Sequence, residues 1–506
     1  MDDPIRVFNS SKRAIEPLVP REPGRIGMYV CGMTVYDLCH IGHARAMITF
    51  DVVFRYLRHR GYEVTYVRNH TDVDDKIIQR AQMHGEDPLA LSARYIEALD
   101  QDLAGFGLLS PSVQPKVSEH IPQIIATIQA ILDRGHGYAV DGDVFFDVPS
   151  LRSYGSLSGR EVEQLRAGER IEVDERKRHP ADFALWKSAK PGEPAWESPW
   201  GPGRPGWHIE CTAMSRHYLG DQFDIHGGGS DLLFPHHENE IAQAEGATGK
   251  RPFVRYWLHN GMVTLIDDAT GEPVKMSKSL GNVINIRDLL CEMPGEALKL
   301  LYLEHHYRSP VPFSRAALST ALGNLDRLYQ AKEQAQRAGA VIAEEHRATT
   351  AAEDAREMGG PAMELHASVE AFAGRFHAAM DADLNTAQAL AELFDLVTAV
   401  NRLAGTKKAM KRAPGVLASA AACFDLAAEV LGIGAMAPTV FFEEMRIKRL
   451  AAMGVERAQV EALLVQRAEA RQVRDWSRAD EIRAQLDAWN IVVMDNPEGT
   501  TWRIRV

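Results

Sequence analysis

A strand, a loop, a helix and a second strand follow one another between residues 26 and 67, and this order constrains the fold more than any other feature. Apolar residues alternate along the first strand up to Cys31, and β-branched and aromatic residues form the second strand at 62–67. The helix between them has an apolar face formed by Met47, Phe50, Phe54 and Leu57. Two strands joined in this way are parallel. The sequence therefore predicts an α/β protein with a Rossmann-like parallel sheet of the kind that binds nucleotides.

The length of 506 residues corresponds to three or four domains at roughly 150 residues each. Short strands with a Pro/Gly-rich return mark an insertion, the later chain is helical and alanine-rich, and two strands close it. The predicted divisions are a Rossmann-like domain at 1–134 and 206–270, a connective insertion at 135–205, a lysine-bearing region at 271–315, a helical bundle at 316–440 and a small mixed C-terminal domain at 441–506.

Charge and composition exclude several classes of protein. With 57 basic and 69 acidic residues, the net charge of −12 argues against general binding to phosphate backbones, so any contact with nucleic acid needs a local basic surface. No run reaches the roughly 18 uncharged apolar residues of a membrane-spanning helix, and the start lacks the pattern of a signal peptide. Five cysteines give no disulfide framework. We expect a cytoplasmic enzyme without a membrane partner.

The sequence His40-Ile41-Gly42-His43 lies between the first strand and the first helix. Ligands of a parallel sheet bind at the carboxyl ends of its strands, where the following helix N-terminus offers free N–H groups to phosphate. Two imidazoles there can donate to a developing phosphate charge, and a glycine lets a flat ring approach the backbone. Taken alone, a pair of capping or core histidines explains the same pattern.

A second motif, Lys275-Met276-Ser277-Lys278-Ser279, follows Gly271 and precedes Gly281 in a glycine-flanked loop. Two lysines on such a loop suit neutralisation of a triphosphate in a transition state, although a lysine pair alone is usually a solvated surface feature. The two motifs, HIGH and KMSKS, occur in this order about 230 residues apart. Together they resemble the paired signatures of class I aminoacyl-tRNA synthetases.

Four dispersed residues form a candidate zinc site: Cys31, Cys211, His236 and Glu240. His236 and Glu240 stand four apart, on one face of a predicted helix. Two thiolates, an imidazole and a carboxylate can hold zinc. A buried cysteine pair beside a histidine-rich helix start is the alternative, and spacing alone favours it because no CxxC is present.

Five strings together resemble the bacterial cysteinyl-tRNA synthetase family over essentially the whole chain: YVCGMTVYDLCHIGHAR from Tyr29, TDVDDKII from Thr71, GWHIECTAMS from Gly206, FDIHGGGSDLLFPHHENEIA from Phe223 and KMSKSLGN from Lys275. The resemblance implies zinc on Cys31, Cys211, His236 and Glu240. It implies ATP, with Mg²⁺, on His40, Gly42, His43, Asp231 and Lys278. It implies cysteine binding by Gly32, Thr71, Trp207 and His226, with His226 as the floor of the pocket. It assigns catalysis to His40, His43, Lys275 and Lys278.

The activity implied by this resemblance is a cysteine–tRNA ligase. Cysteine and ATP give cysteinyl-adenylate and pyrophosphate, and the cysteinyl group passes to the 3′ end of tRNA(Cys). The zinc would select the cysteine thiolate over serine, because a shaped pocket alone discriminates such a pair by only about 1–3 kcal/mol. The resemblance further implies a monomer, a stem-contact role for residues 271–315 and an anticodon-binding role for residues 441–506.

The C-terminal domain separates this function from two alternatives. A ligase that joins cysteine to an amino-sugar in mycothiol synthesis shares the catalytic half but lacks a tRNA-reading module, and a catalytically silent RNA-binding or zinc-structural protein should have lost one of the motifs. The sequence predicts one basic helical face in the tail, formed by Arg467, Arg471, Arg474 and Arg478. The strings RDWSRAD from Arg474 and GTTW from Gly499 resemble the anticodon-binding tail of this family. That resemblance makes Trp476 and Asp480 candidates for reading anticodon bases, with Trp502 as a second tryptophan candidate. An ordinary solvated helix is the alternative.

Overall fold

The structure, a computed structural model, describes residues 4–160, 175–276, 280–342, 347–406, 409–496 and 499–505. Its first part alternates strands and helices. In chain order these are β1 Arg6–Asn9, β2 Ala14–Pro17, β3 Arg25–Val30, α1 Ile41–His59, β4 Glu63–Arg68, α2 Asp75–His84, α3 Pro88–Ala104 and α4 Ile121–Asp133. The predicted strand, helix and strand thus correspond to β3, α1 and β4. Strands β3 and β4 are parallel, with Tyr29 opposite Val67.

The connective insertion forms its own antiparallel sheet, in the order β5-β6-β7-β8. Its strands are β5 Gly137–Val140, β6 Asp143–Phe146, β7 Phe183–Ser188 and β8 Gly203–Pro205. The last strand leads through Gly206 directly into the next helix of the catalytic domain.

The chain then completes the parallel sheet. The elements are α5 Trp207–Leu219, β9 Phe223–Gly229, α6 Glu238–Thr248, β10 Val254–Asn260, β11 Val263–Ile266, β12 Pro273–Val274, α7 Ile286–Glu292, α8 Gly295–Leu303 and β13 Val311–Phe313. The sheet order is β10-β9-β3-β4, with all neighbours parallel. Strand order reverses between β3 and β9, since the chain leaves β3 toward β4 and returns to β9 on the other side. The carboxyl ends of these two strands therefore open a crevice suited to a ligand.

A helical domain follows, formed by α9 Arg315–Val341, α10 Arg347–Met358, α11 Gly360–Asp381, α12 Thr386–Ala404, α13 Ala409–Arg412, α14 Pro414–Ser419 and α15 Ala421–Leu431. Its apolar faces join the core of the parallel sheet in one continuous cluster. Among the described residues, one helical stretch, Pro414–Leu431, has the length and composition to cross a membrane, and 56% of it is buried inside the protein. Its packing in this core accounts for its apolar character.

The C-terminal domain comprises α16 Pro438–Met453, α17 Arg457–Gln472, α18 Trp476–Ala488, β14 Ile491–Asn496 and β15 Gly499–Ile504. The sequence predicted these two closing strands, and the structure pairs them antiparallel. A separate small core holds the domain together, formed by Leu450, Val460, Leu463, Ile482, Leu486, Ile491, Trp502 and Ile504.

Candidate active site

The HIGH motif begins α1, and His40 is the N-cap of this helix. The Gly42 N–H donates to His40 Nδ1 at 3.1 Å, so a neutral His40 ring carries its proton on Nε2. The ring stacks on that of His43, with centroids 3.7 Å apart. A Cβ at position 42 would lie 3.0 Å from His40 Cε1, which is closer than an ordinary contact, so a side chain there would displace this ring.

The segment after the KMSKS motif is hydrogen-bonded to the HIGH motif. The Ile41 N–H donates to the Ile284 carbonyl, and the Ile286 N–H donates to the Cys39 carbonyl, both at 3.0 Å. Lys275 is exposed, and its carbonyl accepts from the Asn282 side chain at 2.9 Å. Lys278 lies outside the described residues. The segment that follows the second motif thus meets the first motif at the carboxyl end of the sheet.

One cavity of about 350 Å³ contains most of the predicted ligand-binding residues. The predicted residues on its walls are Cys31, Gly32, His40, Gly42, His43, Thr71, Trp207, Cys211, Asp231 and His236. His226 is fully buried behind this wall, and its Nε2 lies 2.9 Å from Glu240 Oε2. It supports the predicted metal cluster and does not line the cavity, so the structure does not place it as the floor of the pocket.

Two polar residues that the sequence analysis missed, Asn69 and Glu210, organise the predicted cysteine pocket. The Gly32 N–H donates to Asn69 Oδ1 at 2.9 Å, and Asn69 Nδ2 donates to Thr71 Oγ1 at 3.2 Å. Thr71 in turn donates to the buried carboxyl of Glu210 at 3.1 Å. A Cβ at Gly32 would lie 1.7 Å from the Asn69 carbonyl oxygen, so only glycine fits there. The available signal was position, since Asn69 follows the last residue of β4 and Glu210 precedes Cys211.

The four candidate zinc ligands lie together, with one ligand atom from each within 4.8 Å of the others. Cys31 follows β3 and Cys211 lies on α5. His236 lies in the turn before α6, and Glu240 lies in the first turn of α6. Cys31 Sγ is 3.5 Å from Cys211 Sγ, and 3.4 Å from both His236 Nε2 and Glu240 Oε1. Two ligands of a tetrahedral zinc ion stand about 3.3–3.8 Å apart, given bond lengths near 2.0–2.3 Å. The spacing and the donor types both fit zinc.

The charges in this cluster also suit a divalent cation. Hydrogen bonding with Cys31 lowers the pKa of the Cys211 thiol to about 6. Against its burial, His226 and His236 lower the pKa of Glu240 to about 2. Burial, together with Cys211, raises the pKa of Cys31 well above its ordinary value. Against its burial, Cys211 and Glu240 raise the pKa of His236 to about 10. A metal ion would therefore meet a thiolate and a carboxylate already ionised at neutral pH, and would displace the protons of Cys31 and His236.

A ring of histidines surrounds the cluster. His208 Nδ1 lies 2.9 Å from His236 Nδ1, which leaves His236 Nε2 directed at the cysteines. His237 and His226 form a second possible group with Cys31 and Glu240. That group contains one cysteine, and its two histidines do not line the cavity, whereas His236 does. The set with two cysteines is the better zinc site.

The predicted basic face of the C-terminal domain is wrong. The helix ends at Gln472 and a new one starts at Trp476, with Arg474 between them at a φ of 62°. Arg467 forms two hydrogen bonds with Asp495, at 3.0 and 2.9 Å, and Arg471 contacts the same carboxylate. These arginines hold α17 against β14, so they do not form one continuous surface.

The three aromatic and acidic candidates in this domain differ in exposure. Trp476 is 58% exposed and Asp480 is also exposed, at the start of α18. Trp502 is 7% exposed and packs in the small core, with Arg446 over its ring at 5.1 Å. Trp502 is therefore a core residue and no candidate for stacking on a base.

Family models match three segments of the chain. The tRNA synthetases class I (C) catalytic domain matches residues 17–323, the DALR domain matches 375–435, and the Cysteinyl-tRNA ligase anticodon binding domain matches 456–503. These matches follow the order predicted from the sequence, although the exact domain boundaries stay predictions.

Curated relatives match over nearly the full length. The cysteine–tRNA ligase of Geobacter sulfurreducens is 50% identical over 501 residues, which cover 99% of this chain and all of that protein. The cysteine–tRNA ligase of Geotalea daltonii is 49% identical over 502 residues with the same coverage.

Solved structures share the fold at low identity. Methionyl-tRNA synthetase of Mycobacterium tuberculosis, in complex with methionyl-adenylate, has a TM-score of 0.57 at 14% identity and covers 86% of this chain and 95% of its own. The LeuRS of Agrobacterium radiobacter, in a ternary complex with tRNA, has a TM-score of 0.55 at 13% identity, with coverage of 85% and 86%. The predicted fold class is confirmed. With half of its residues identical to those of full-length relatives and the class I catalytic domain over 17–323, the chain belongs to the cysteine–tRNA ligase family of class I aminoacyl-tRNA synthetases.

Proposed function

We propose that this protein activates L-cysteine with ATP to form cysteinyl-adenylate and pyrophosphate, and then transfers the cysteinyl group to the 3′ end of tRNA(Cys). The observation that carries this proposal is one cavity with a thiol-rich ligand set on one wall and the HIGH histidines on another. Such a cavity can hold a thiol-bearing amino acid beside a nucleotide. We further propose that the protein acts in the cytoplasm as a monomer.

Amino-acid selection would rest on a zinc ion held by Cys31, Cys211, His236 and Glu240. Bound there, zinc supplies a soft Lewis acid that prefers the thiolate of cysteine to the neutral hydroxyl of serine. The protein contributes the remainder of the pocket. Gly32 lets the chain pass close to Asn69, Thr71 offers its hydroxyl near the cysteines, and the partly exposed ring of Trp207 forms a side wall.

Adenylate formation would depend on positioning and on charge stabilisation. The carboxylate of cysteine attacks the α-phosphate of ATP, and pyrophosphate leaves with its Mg²⁺. His40 Nε2 and His43 would donate to phosphate oxygens at the N-terminus of α1, where the helix dipole also favours negative charge. Lys275 and Lys278 would neutralise the leaving pyrophosphate. Asp231 and Gly229 also line the cavity, and Asp231 would contact the nucleoside.

The amino-sugar ligase is the second candidate acceptor chemistry, and the C-terminal domain disfavours it. The match to the Cysteinyl-tRNA ligase anticodon binding domain covers residues 456–503 and supports a tRNA acceptor. We propose that residues 271–315 contact the stem of the tRNA and that residues 441–506 bind its anticodon, with Trp476 and Asp480 as base contacts. Both side chains are exposed at the start of α18.

The test is pyrophosphate exchange into ATP, measured with cysteine and serine side by side, followed by charging of tRNA(Cys). We expect exchange with cysteine, almost none with serine, and about one zinc ion per chain in protein purified without chelator. Exchange with cysteine but no charging of tRNA would favour the amino-sugar acceptor. Equal exchange with both amino acids, or protein that lacks zinc and remains selective, would contradict the proposed role of the metal.

A further inference from the structure

Two histidines from different domains face each other far from the active site. His59 is the last residue of α1, His377 lies on α11, and their Nε2 atoms are 3.0 Å apart. Both rings line an open cavity of about 960 Å³ together with Arg60 and Asp381. This cavity is separate from the cavity of the active site, whose walls contain neither histidine.

A carboxylate fixes the orientation of one of these rings. His59 Nδ1 lies 3.0 Å from Glu429 Oε1 on α15. Because a carboxylate only accepts, His59 donates from Nδ1, and in a neutral His59 ring Nε2 then carries a lone pair directed at His377. A carboxylate that receives the second N–H of a histidine is the usual partner of a metal-binding imidazole.

The distance between the rings is compatible with a cation. Two nitrogen ligands of one ion, at bonds of about 2.1 Å, stand about 3.0–3.4 Å apart, so little movement is needed. The helices α1 and α11 both end at this cavity, and helix C-termini favour positive charge. The charge of Arg60 is balanced by Asp381, which it contacts and which also accepts from Tyr56 at 2.6 Å.

Asp381 supplies a negative charge beside the two rings, although its carboxylate is held by Arg60 and Tyr56. It stands four residues after His377, hence on the same face of α11, and it lines the same cavity. The open side of the cavity leaves room for water on the remaining coordination positions. Imidazole nitrogen with water suits late first-row divalent ions such as Ni²⁺, Cu²⁺ and Zn²⁺.

We propose that His59 and His377 form a second, accessible binding site for a divalent transition-metal ion, which links the catalytic domain to the helical domain. The site differs from the cysteine-containing cluster in having no thiol and in being open to solvent. Such an ion would join α1, which bears the HIGH motif at its other end, to α11 of the helical domain.

The experiment is calorimetric titration of the full-length, zinc-loaded protein, free of any histidine tag, with Ni²⁺ at pH 7.5. We expect one Ni²⁺ ion per chain and a higher Tm in its presence, because a ligand that binds only the folded state stabilises it. His59→Gln and His377→Gln each remove one imidazole but keep a hydrogen-bonding amide, and should weaken binding at least about 10-fold. Glu429→Gln should weaken it about 10- to 100-fold, as is usual for the outer partner of a ligand histidine.

Controls separate this site from the active-site cluster. His84→Gln changes an exposed histidine at the end of α2 and should bind Ni²⁺ like the wild type. Zinc content and cysteine-dependent pyrophosphate exchange should be unchanged in His377→Gln, which also shows that this variant is folded. The inference is overturned if the wild type binds no Ni²⁺ beyond its zinc, or if His377→Gln binds Ni²⁺ as tightly as the wild type. Neither result depends on the proposed tRNA ligase activity.

Discussion

The sequence predicted both the cysteine-containing cluster and a basic face of arginines in the C-terminal domain. The structure brings the residues of the cluster together, whereas the arginines do not form one face. The cluster brings together residues up to 209 positions apart, at ligand spacing. The arginines lie within a dozen residues of one another, yet the helix breaks between them and two of them pair with Asp495. Two thiols, an imidazole and a carboxylate that are buried together suit few roles other than metal binding. Arginine, in contrast, either binds RNA or forms ion pairs within a domain. The chemistry of the residues predicted the structure better than their spacing did.

The largest effect should come from Cys211→Ser, which replaces a thiolate of the cluster by a hydroxyl. We expect the zinc to be lost and kcat/KM for cysteine in pyrophosphate exchange to fall on the order of 10,000-fold. The substrate thiol would then lack its specific partner, and a missing polar contact of this kind costs a selective site about that factor. The KM for ATP should change little. Cys291→Ser, at an exposed cysteine outside the cluster, is the matched control. Retained zinc with unchanged cysteine kinetics would remove Cys211 from the ligand set.

His40→Asn should have the next largest effect. Asparagine can still cap α1 by accepting the Gly42 N–H, so the Tm should hold. It lacks the Nε2–H aimed toward the nucleotide, and we expect kcat of pyrophosphate exchange to fall about 100- to 1,000-fold, as for loss of one charge-stabilising donor. His40→Ala removes the cap as well and should also lower the free energy of unfolding by about 1 kcal/mol. Equal kcat for His40→Asn and the wild type would make His40 a capping residue only.

Local periodicity and the chemistry of the motifs were enough to predict the sheet, α1 and the walls of the active-site cavity. Contacts between distant segments were beyond its reach. Asn69 joins the backbone at Gly32 to Thr71 only because β3 and β4 are neighbours, and nothing local marks it. His226 was assigned to the pocket, but its position behind Glu240 depends on how α6 lies over β9. The helix break near Arg474 could have been predicted, because aspartate is a preferred N-cap residue. Asp475 is the N-cap of α18 and accepts the Arg478 N–H at 3.0 Å.

Trp476→Ala tests whether any part of the C-terminal prediction survives the loss of the basic face. If a base stacks on this exposed ring, its removal costs about 1–3 kcal/mol of tRNA binding, which should raise the KM for tRNA about 5- to 150-fold. Stability and pyrophosphate exchange should be unaffected. Trp502→Ala is the contrasting variant, because it empties the small core and should lower the free energy of unfolding of this domain by about 3–5 kcal/mol. Unchanged tRNA kinetics in Trp476→Ala would leave the surface of α18 without a role.

The smallest effect should come from Asp495→Asn. This variant tests whether Arg467 and Arg471 stabilise the domain by pairing with Asp495. These arginines hold the pKa of Asp495 well below its usual range through their hydrogen bonds. A carboxyl with a depressed pKa stabilises the fold above its unfolded pKa of about 3.9, and that contribution is lost as the pH falls through the folded value. Because the Asp495 side chain is 38% exposed, the contribution is only about 1 kcal/mol.

We therefore expect Asp495→Asn to speed amide hydrogen exchange in β14 and β15 at pH 7, relative to the wild type at the same pH. The difference between the two proteins should narrow steadily below about pH 4, because the carboxyl of the unfolded chain takes up its proton there while the folded one is still ionised. Glu481→Gln is the matched control, because it removes a carboxylate that pairs with Arg478 on the exposed surface of α18. A difference that stays constant from pH 7 to pH 3 would mean that the charge of Asp495 contributes nothing. The arginines would then be available for RNA, as the sequence first suggested.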